Sequence, residues 1–162
     1  MTMSALKYAV YAAFSLVALS FVPAGAGQPD SPVGTWLTQN GHSVVRIEPC
    51  AQGVCGSIVG IDRAPDEAMP TAVDGRSQCG LTILTASAPV DGVVHGGITD
   101  PRNGHIYNAE LWLDGQGRLH LRGYVGIPLL GATQIWQRFD GHIDDACRFT
   151  TAQTEAGGDG AG

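Results

Sequence analysis

The chain has 162 residues, of which 44% are hydrophobic and 15% charged, a balance that excludes a disordered, collagenous or coiled-coil protein and suffices for one compact domain. Nine basic residues stand against fifteen acidic ones, a net charge of -6, so a broad basic nucleic-acid surface is excluded too. Twenty-three glycines and nine prolines favour short strands joined by turns over long helices.

In chain order, Lys7 precedes an apolar stretch, Tyr8 to Val22, closed by Pro23-Ala24-Gly25-Ala26. A basic start, an apolar core of about 15 residues and an Ala-Gly-Ala end predict a secretory leader over residues 1–26, cleaved after Ala26. The alternative is a membrane anchor, but the run is shorter than the ~20 residues of a spanning helix. No stable span is expected after cleavage, and the expected compartment is periplasmic or secreted. Cleavage would also remove the chain's only lysine, making the protein one charge more acidic.

Four cysteines, Cys50, Cys55, Cys79 and Cys147, follow the leader. An even count behind an export signal reads as two disulfides. Of three connectivities, Cys50–Cys55 and Cys79–Cys147 is favoured, with a four-residue hairpin loop setting the first two cysteines opposite each other. Zinc is the rival ligand, but the spacing is not Cys-x-x-Cys and no histidine neighbours Cys147. No metal or other cofactor is expected.

After Ser31-Pro32-Val33 the turn signals cut the chain into eight strand-like runs. These are Gly34 to Gln39, Ser43 to Pro49, Cys55 to Asp62, Gly80 to Ala86, Gly92 to Thr99, His105 to Asp114, Arg118 to Gly126 and Ala132 to Phe139. Asn40-Gly41, Asp100 to Gly104 and Gly115-Gln116-Gly117 supply the residues that tolerate the positive φ of tight turns. Residues 63–79 read as a surface loop crossing one end of the fold. Residues 150–162 read as a disordered tail, leaving 27–149 as a single β domain. Short sequential turns predict an all-β, eight-stranded antiparallel up-and-down barrel, whose closure removes exposed edges. An interior of eight strands is filled by side chains or holds one small ligand.

Gly34-Thr35-Trp36 opens the first run and Trp136-Gln137-Arg138 lies on the last. This resembles the lipocalin and wider calycin pattern, in which a Gly-x-Trp opens the barrel and a basic residue of the final strand covers the indole. In a closed barrel the first and last strands are neighbours, so Arg138 would stack on Trp36 and contribute about 0.5–2 kcal/mol. Further pieces follow in order: Cys50 to Gly56, Cys79-Gly80-Leu81, Gly97 to Tyr107, Leu121 to Gly126 and Gln134 to Arg138. Together they resemble the bacterial exported family known as domain of unknown function 2147. The resemblance implies a lipocalin-like barrel and carries no established activity.

Arg122 and Tyr124 share one face of the seventh run, and Gln134, Trp136 and Arg138 share one face of the eighth. Pointing inward, they would build a polar, aromatic-lined site able to clamp a carboxylate. The candidate ligand-binding set is therefore Arg122, Tyr124, Tyr107 and Trp136. Pointing outward, Leu119, Leu121 and Val125 would fill the interior, and Arg122 would pair with Glu110, Asp114 or Glu48. Asp100 to Gly104 reads either as oxygens for a polar ligand or, preferably, as a tight turn bonded to its own backbone. Five histidines, His42, His95, His105, His120 and His142, show no ligand spacing, and Ser43, Ser57, Ser77 and Ser87 lie in no Gly-x-Ser-x-Gly elbow.

Three functions remain. The first is an exported binder of a small apolar or amphipathic molecule. The second is a cell-envelope interaction module with a filled core, using Ile127, Leu129 and Leu130 as its apolar patch. The third is an enzyme using Arg122, Tyr124 and Asp100.

Overall fold

The computed structural model describes residues 31–150, so the expected leader and nearly all of the expected tail lie outside the described residues. Eight strands, β1 (Gly34–Leu37), β2 (Ser43–Cys50), β3 (Gly53–Ile61), β4 (Thr82–Ala86), β5 (Val94–Thr99), β6 (Ile106–Leu113), β7 (Leu119–Tyr124) and β8 (Ala132–Arg138), close into an antiparallel barrel in sequence order. Closure is made by β1 and β8, where Trp36 pairs with Arg138 and Leu37 with Gln137. That seam is short. Past Leu37 the Gln39 side-chain oxygen accepts from the Ile135 N–H at 2.8 Å, replacing the missing strand. No helix among the described residues is long and apolar enough to cross a membrane.

Alternation with period two decides which side chains meet inside. One row is Leu113, Leu119 and Trp136, the next Leu111, Leu121 and Gln134, and a third Ala109, Gly123 and Ala132. Two irregularities adjust the pattern. Gly56 pairs with Leu84 and Ser57 with Thr82, which leaves Ile83 unopposed on β4. On β3, Ile58 faces Val45 and Gly60 faces Val44, which leaves Val59 unopposed. The core is the inward set from Trp36, Val45 and Ile47 round to Leu119, Leu121 and Trp136.

Two glycines are needed for close approach. Gly96 faces Ala86 across β4–β5, where a Cβ would run into the β4 backbone. Gly34 has φ 145°, and the Arg138 guanidinium occupies the place its Cβ would take. The glycine of Gly-x-Trp thus makes room for the arginine that covers the tryptophan.

The cystines are Cys50–Cys55 and Cys79–Cys147. The first differs in detail from the expected hairpin. β2 and β3 pair up to Cys50 and Gly53, so the loop is Ala51-Gln52, and Cys55 lies opposite Glu48. The bridge therefore crosses diagonally, with 5.8 Å between Cα atoms. Gly53 with φ 127° lets the ladder run on to the turn, which the spacing of the cysteines hid.

A hairpin not foreseen in the sequence, β9 (His142–Ile143) and β10 (Phe149–Thr150), lies against the outside of the barrel. Phe149 packs on Gly60 beside Val44 and meets Phe139 edge-on at 5.4 Å. Cys147 bonds back to β3, its carbonyl accepting from the Ile61 N–H at 2.8 Å. The second cystine ties this hairpin to the loop before β4.

Candidate functional site

The barrel has two unlike ends. One carries the β2–β3, β4–β5 and β6–β7 turns, and Trp36, Ile47, Leu84, Val94, Leu111 and Leu119 fill it so completely that each is at most 1% exposed. Arg138 lies over the Trp36 ring at 4.0 Å and donates to the Val33 carbonyl at 2.9 Å. The Trp36 indole N–H donates to the Pro32 carbonyl at 2.8 Å, so its one polar group is satisfied.

At the other end the barrel is hollow, with a cavity of about 660 Å³ open to solvent. Its lower wall is Val45, Ile58, Ile83, Ile98, Leu121 and Trp136. Its upper rim is polar: Thr38, Asn40, His42, Ser43, Asp62, Gln78, Asp100 and Arg102. The hollow has a local cause. Gly123 and Ala132, paired across β7–β8, present almost no side chain where the lower rows present Leu119 with Trp136. Pro70 and Gln78, from the loop between β3 and β4, form part of the rim, so this loop crosses the open end.

The candidate residues divide. Tyr107 and Trp136 line the cavity. Trp136 is buried and its indole N–H donates to the Gln134 side-chain oxygen at 2.8 Å, which leaves the Gln134 NH2 group to donate elsewhere. Arg122 and Tyr124 sit on the outer face of the barrel, since their neighbours Leu121 and Gly123 face in. Candidates for one inward site with Trp136, they are excluded from it by the phase of β7, which is the outward one of the two alternatives. Nor does Arg122 pair with a carboxylate. Glu110 is its cross-strand neighbour, yet the guanidinium turns to the loop between β7 and β8. It donates to the Pro128 carbonyl at 2.7 Å, the Thr133 hydroxyl at 2.8 Å and the Leu129 carbonyl at 3.4 Å.

Of the outward alternative's fillers, Leu119 and Leu121 do face in. Val125 lies beyond the end of β7, 69% exposed.

Asp100 sits at the rim, but its carboxylate is engaged by its own turn. Arg102 meets it through Nε at 3.0 Å and Nη2 at 2.7 Å, and the Arg102 amide donates at 2.9 Å. The Gly104 amide closes the turn on the Asp100 carbonyl at 2.8 Å. The Arg102 side-chain bonds, helped by the amide, hold the carboxyl below the usual carboxylate range. Arg122, Tyr124 and Asp100 are therefore not assembled around one point. His42 and Asp62, neighbours on the rim at the adjoining ends of β2 and β3, approach to 3.6 Å.

Among the lining residues that sequence reasoning missed are Ile83, Ile98, Gly123 and Ala132. Gln134, which the sequence placed on one face with Trp136, does line the cavity. Ile83 enters only through the β4 irregularity, and the Gly123–Ala132 pair depends on a register that no turn residue announces.

A family model described as an uncharacterized protein conserved in bacteria, domain of unknown function 2147, matches the chain over residues 34–138. That range spans the first residue of β1 to the last of β8. Neither a curated protein nor a solved structure matches the chain.

Proposed function

The chain belongs to this bacterial family of uncharacterized proteins, and from that premise and the geometry of its barrel we propose that it is an exported carrier of one small amphipathic molecule, which it binds without transforming. One observation carries the reading: a 660 Å³ cavity, apolar below and polar at its rim, in a barrel whose opposite end is stoppered. Such a volume lies in the range of small-molecule sites, about 300–1,000 Å³. An apolar tail would lie against Ile58, Ile98, Leu121 and Trp136. A polar head would find Tyr107, Gln134 and the rim, where hydroxyl, amide and imidazole groups offer both donors and acceptors. The leader-like sequence over residues 1–26 and the two cystines support export to an oxidising compartment.

Filling the cavity tests this. Gly123 is in an ordinary backbone conformation, and a Cβ there would meet only the Tyr107 Cβ, at 3.8 Å. The Gly123→Leu protein should fold normally and lose its ligand. The measurement is native mass spectrometry of delipidated protein offered a panel of fatty acids and lysophospholipids. Retention of none of them by the parent protein, or equal retention by both, would sink the carrier reading.

A further inference from the structure

Among the described residues seven large hydrophobic side chains are exposed, and all but Val90 lie at the open end of the barrel. Leu129 is 82% exposed, Leu130 76% and Ile106 73%, with Val125, Ile127 and Val73 beside them. A soluble surface scatters such side chains singly. Here four of them crowd the loop that joins β7 to β8, an apolar outer rim beside the polar residues that line the cavity mouth.

We propose that this rim is a membrane-docking surface, on which the loop 125–131 inserts shallowly into the headgroup boundary of a lipid bilayer and presents the barrel mouth to it. Three features favour lipid over a protein partner. First, the carbonyls at the tip of the loop, from Ile127 to Leu129, are engaged within the protein. Pro128 brings no N–H, Leu130 and Gly131 donate to the Ile127 and Pro128 carbonyls at 3.2 and 2.9 Å, and Arg122 caps the Pro128 and Leu129 carbonyls from below. Backbone groups entering hydrocarbon must find partners within the protein, and a protein interface would supply its own. Second, from residue 115 to residue 139 there is no aspartate or glutamate in a chain that is acidic as a whole. Arg122 and Tyr124 stand on the outer wall just behind the leucines, the arrangement of apolar tip, aromatic collar and cation that suits a headgroup layer. Third, the loop springs from the strand ends at Gly123 and Ala132, which line the cavity, so whatever meets the loop lies next to the binding space.

The tip carries no buried residue, so it can be changed without touching the core. A Leu129→Asn, Leu130→Asn double variant should fold as the parent does, checked by near-ultraviolet circular dichroism. Its partitioning onto vesicles of phosphatidylethanolamine and phosphatidylglycerol, measured by flotation, should fall on the order of 100-fold. Parent and variant are compared as full chains expressed and processed alike, so any contribution from residues outside 31–150 is common to both. In a separate Leu130→Trp protein, indole emission should shift to the blue on adding the same vesicles. Equal flotation of parent and double variant, or unshifted emission, overturns the proposal. So does loss of a co-purifying protein in the double variant where neither form binds vesicles, which would assign the patch to a protein partner. This goes beyond the carrier reading and fails separately from it, because Leu129 and Leu130 do not line the cavity. The double variant should still take up a soluble lysophospholipid, and failure of that uptake in the parent protein touches only the carrier.

Discussion

The stoppered end and the open end of this barrel are made from the same eight strands, yet they differ in what the last inward residue of each strand brings. At the stoppered end, Trp36 meets Ile47, Val94 and a set of leucines, with a guanidinium laid across the top. At the open end, glycine and alanine meet, and the space above them is left to solvent. The same hydrogen-bonded cylinder can thus be a core at one level and a container at the next. Tight ion pairs occur at both ends, Asp100 with Arg102 at the rim and Asp114 with Arg118 at the stopper. Asp114, in the β6–β7 turn of the stoppered end, accepts from His120 at 2.9 Å, Arg118 at 2.7 Å and two backbone amides. At the open rim, His42 and Asp62 meet only loosely and both remain exposed.

The largest effects should come from breaking the stoppered half. Trp36→Ala is expected to cost about 3–5 kcal/mol, whereas Ile98→Ala, in a wall that already faces a void, should cost only about 1 kcal/mol. Urea titration of both decides whether the two ends differ in packing as described, and equal costs would remove the distinction. Next is the cystine Cys79–Cys147. Its replacement by serines should cost about 4 kcal/mol on the loop-entropy scale, because it closes most of the barrel, against about 2 kcal/mol for Cys50–Cys55. Thermal unfolding of the two double variants ranks them. Removing the lid is a smaller change. Arg138→Ala should lose about 0.5–2 kcal/mol, and Arg138→Lys should restore only part of it, since a planar group fits over the indole better than an ammonium.

Acid should have the smallest effect. Asp114 is held well below the ordinary carboxylate range, by the His120 hydrogen bond first and then by Arg118. Asp144 is lowered by its Arg148 bonds and Asp100 by Arg102. A carboxyl whose folded pKa is depressed contributes stability that is present above its unfolded pKa, about 3.9, and is lost as pH falls through the folded value. The urea midpoint should therefore stay level from pH 7 to about 5 and decline below about 4. Asp114→Asn should flatten that decline, as followed by midpoint against pH.

Much of the frame was readable residue by residue. The hairpin glycines gave strand order, and Gly34, Trp36 and Arg138 gave the closure, because a barrel of neighbouring strands brings chain ends together. The interior was harder. Arg122 and Tyr124 were placed with Trp136 on the strength of alternation alone, and alternation says which residues share a face without saying which face is inside. On β7 that choice is made by Leu119 and Leu121, whose burial outweighs any use for an inward guanidinium. The β9–β10 hairpin escaped notice because two-residue strands carry no period, and its hold on the barrel comes from Phe149 and the Cys147 bridge rather than from pairing signals.

By itself the sequence marked out the eight barrel strands, their order, the favoured cystine pairing and the stopper, all of which rest on local turn chemistry or on pairs of distinctive residues. Only the tertiary structure decided that the barrel is hollow at one end, that Arg122 braces a loop outside it, and that the exposed leucines of that loop stand beside its mouth. Those outcomes depend on strand register, where a shift of one residue exchanges inside for outside. Register is set by the sum of contacts around the whole cylinder rather than by any residue within a single strand.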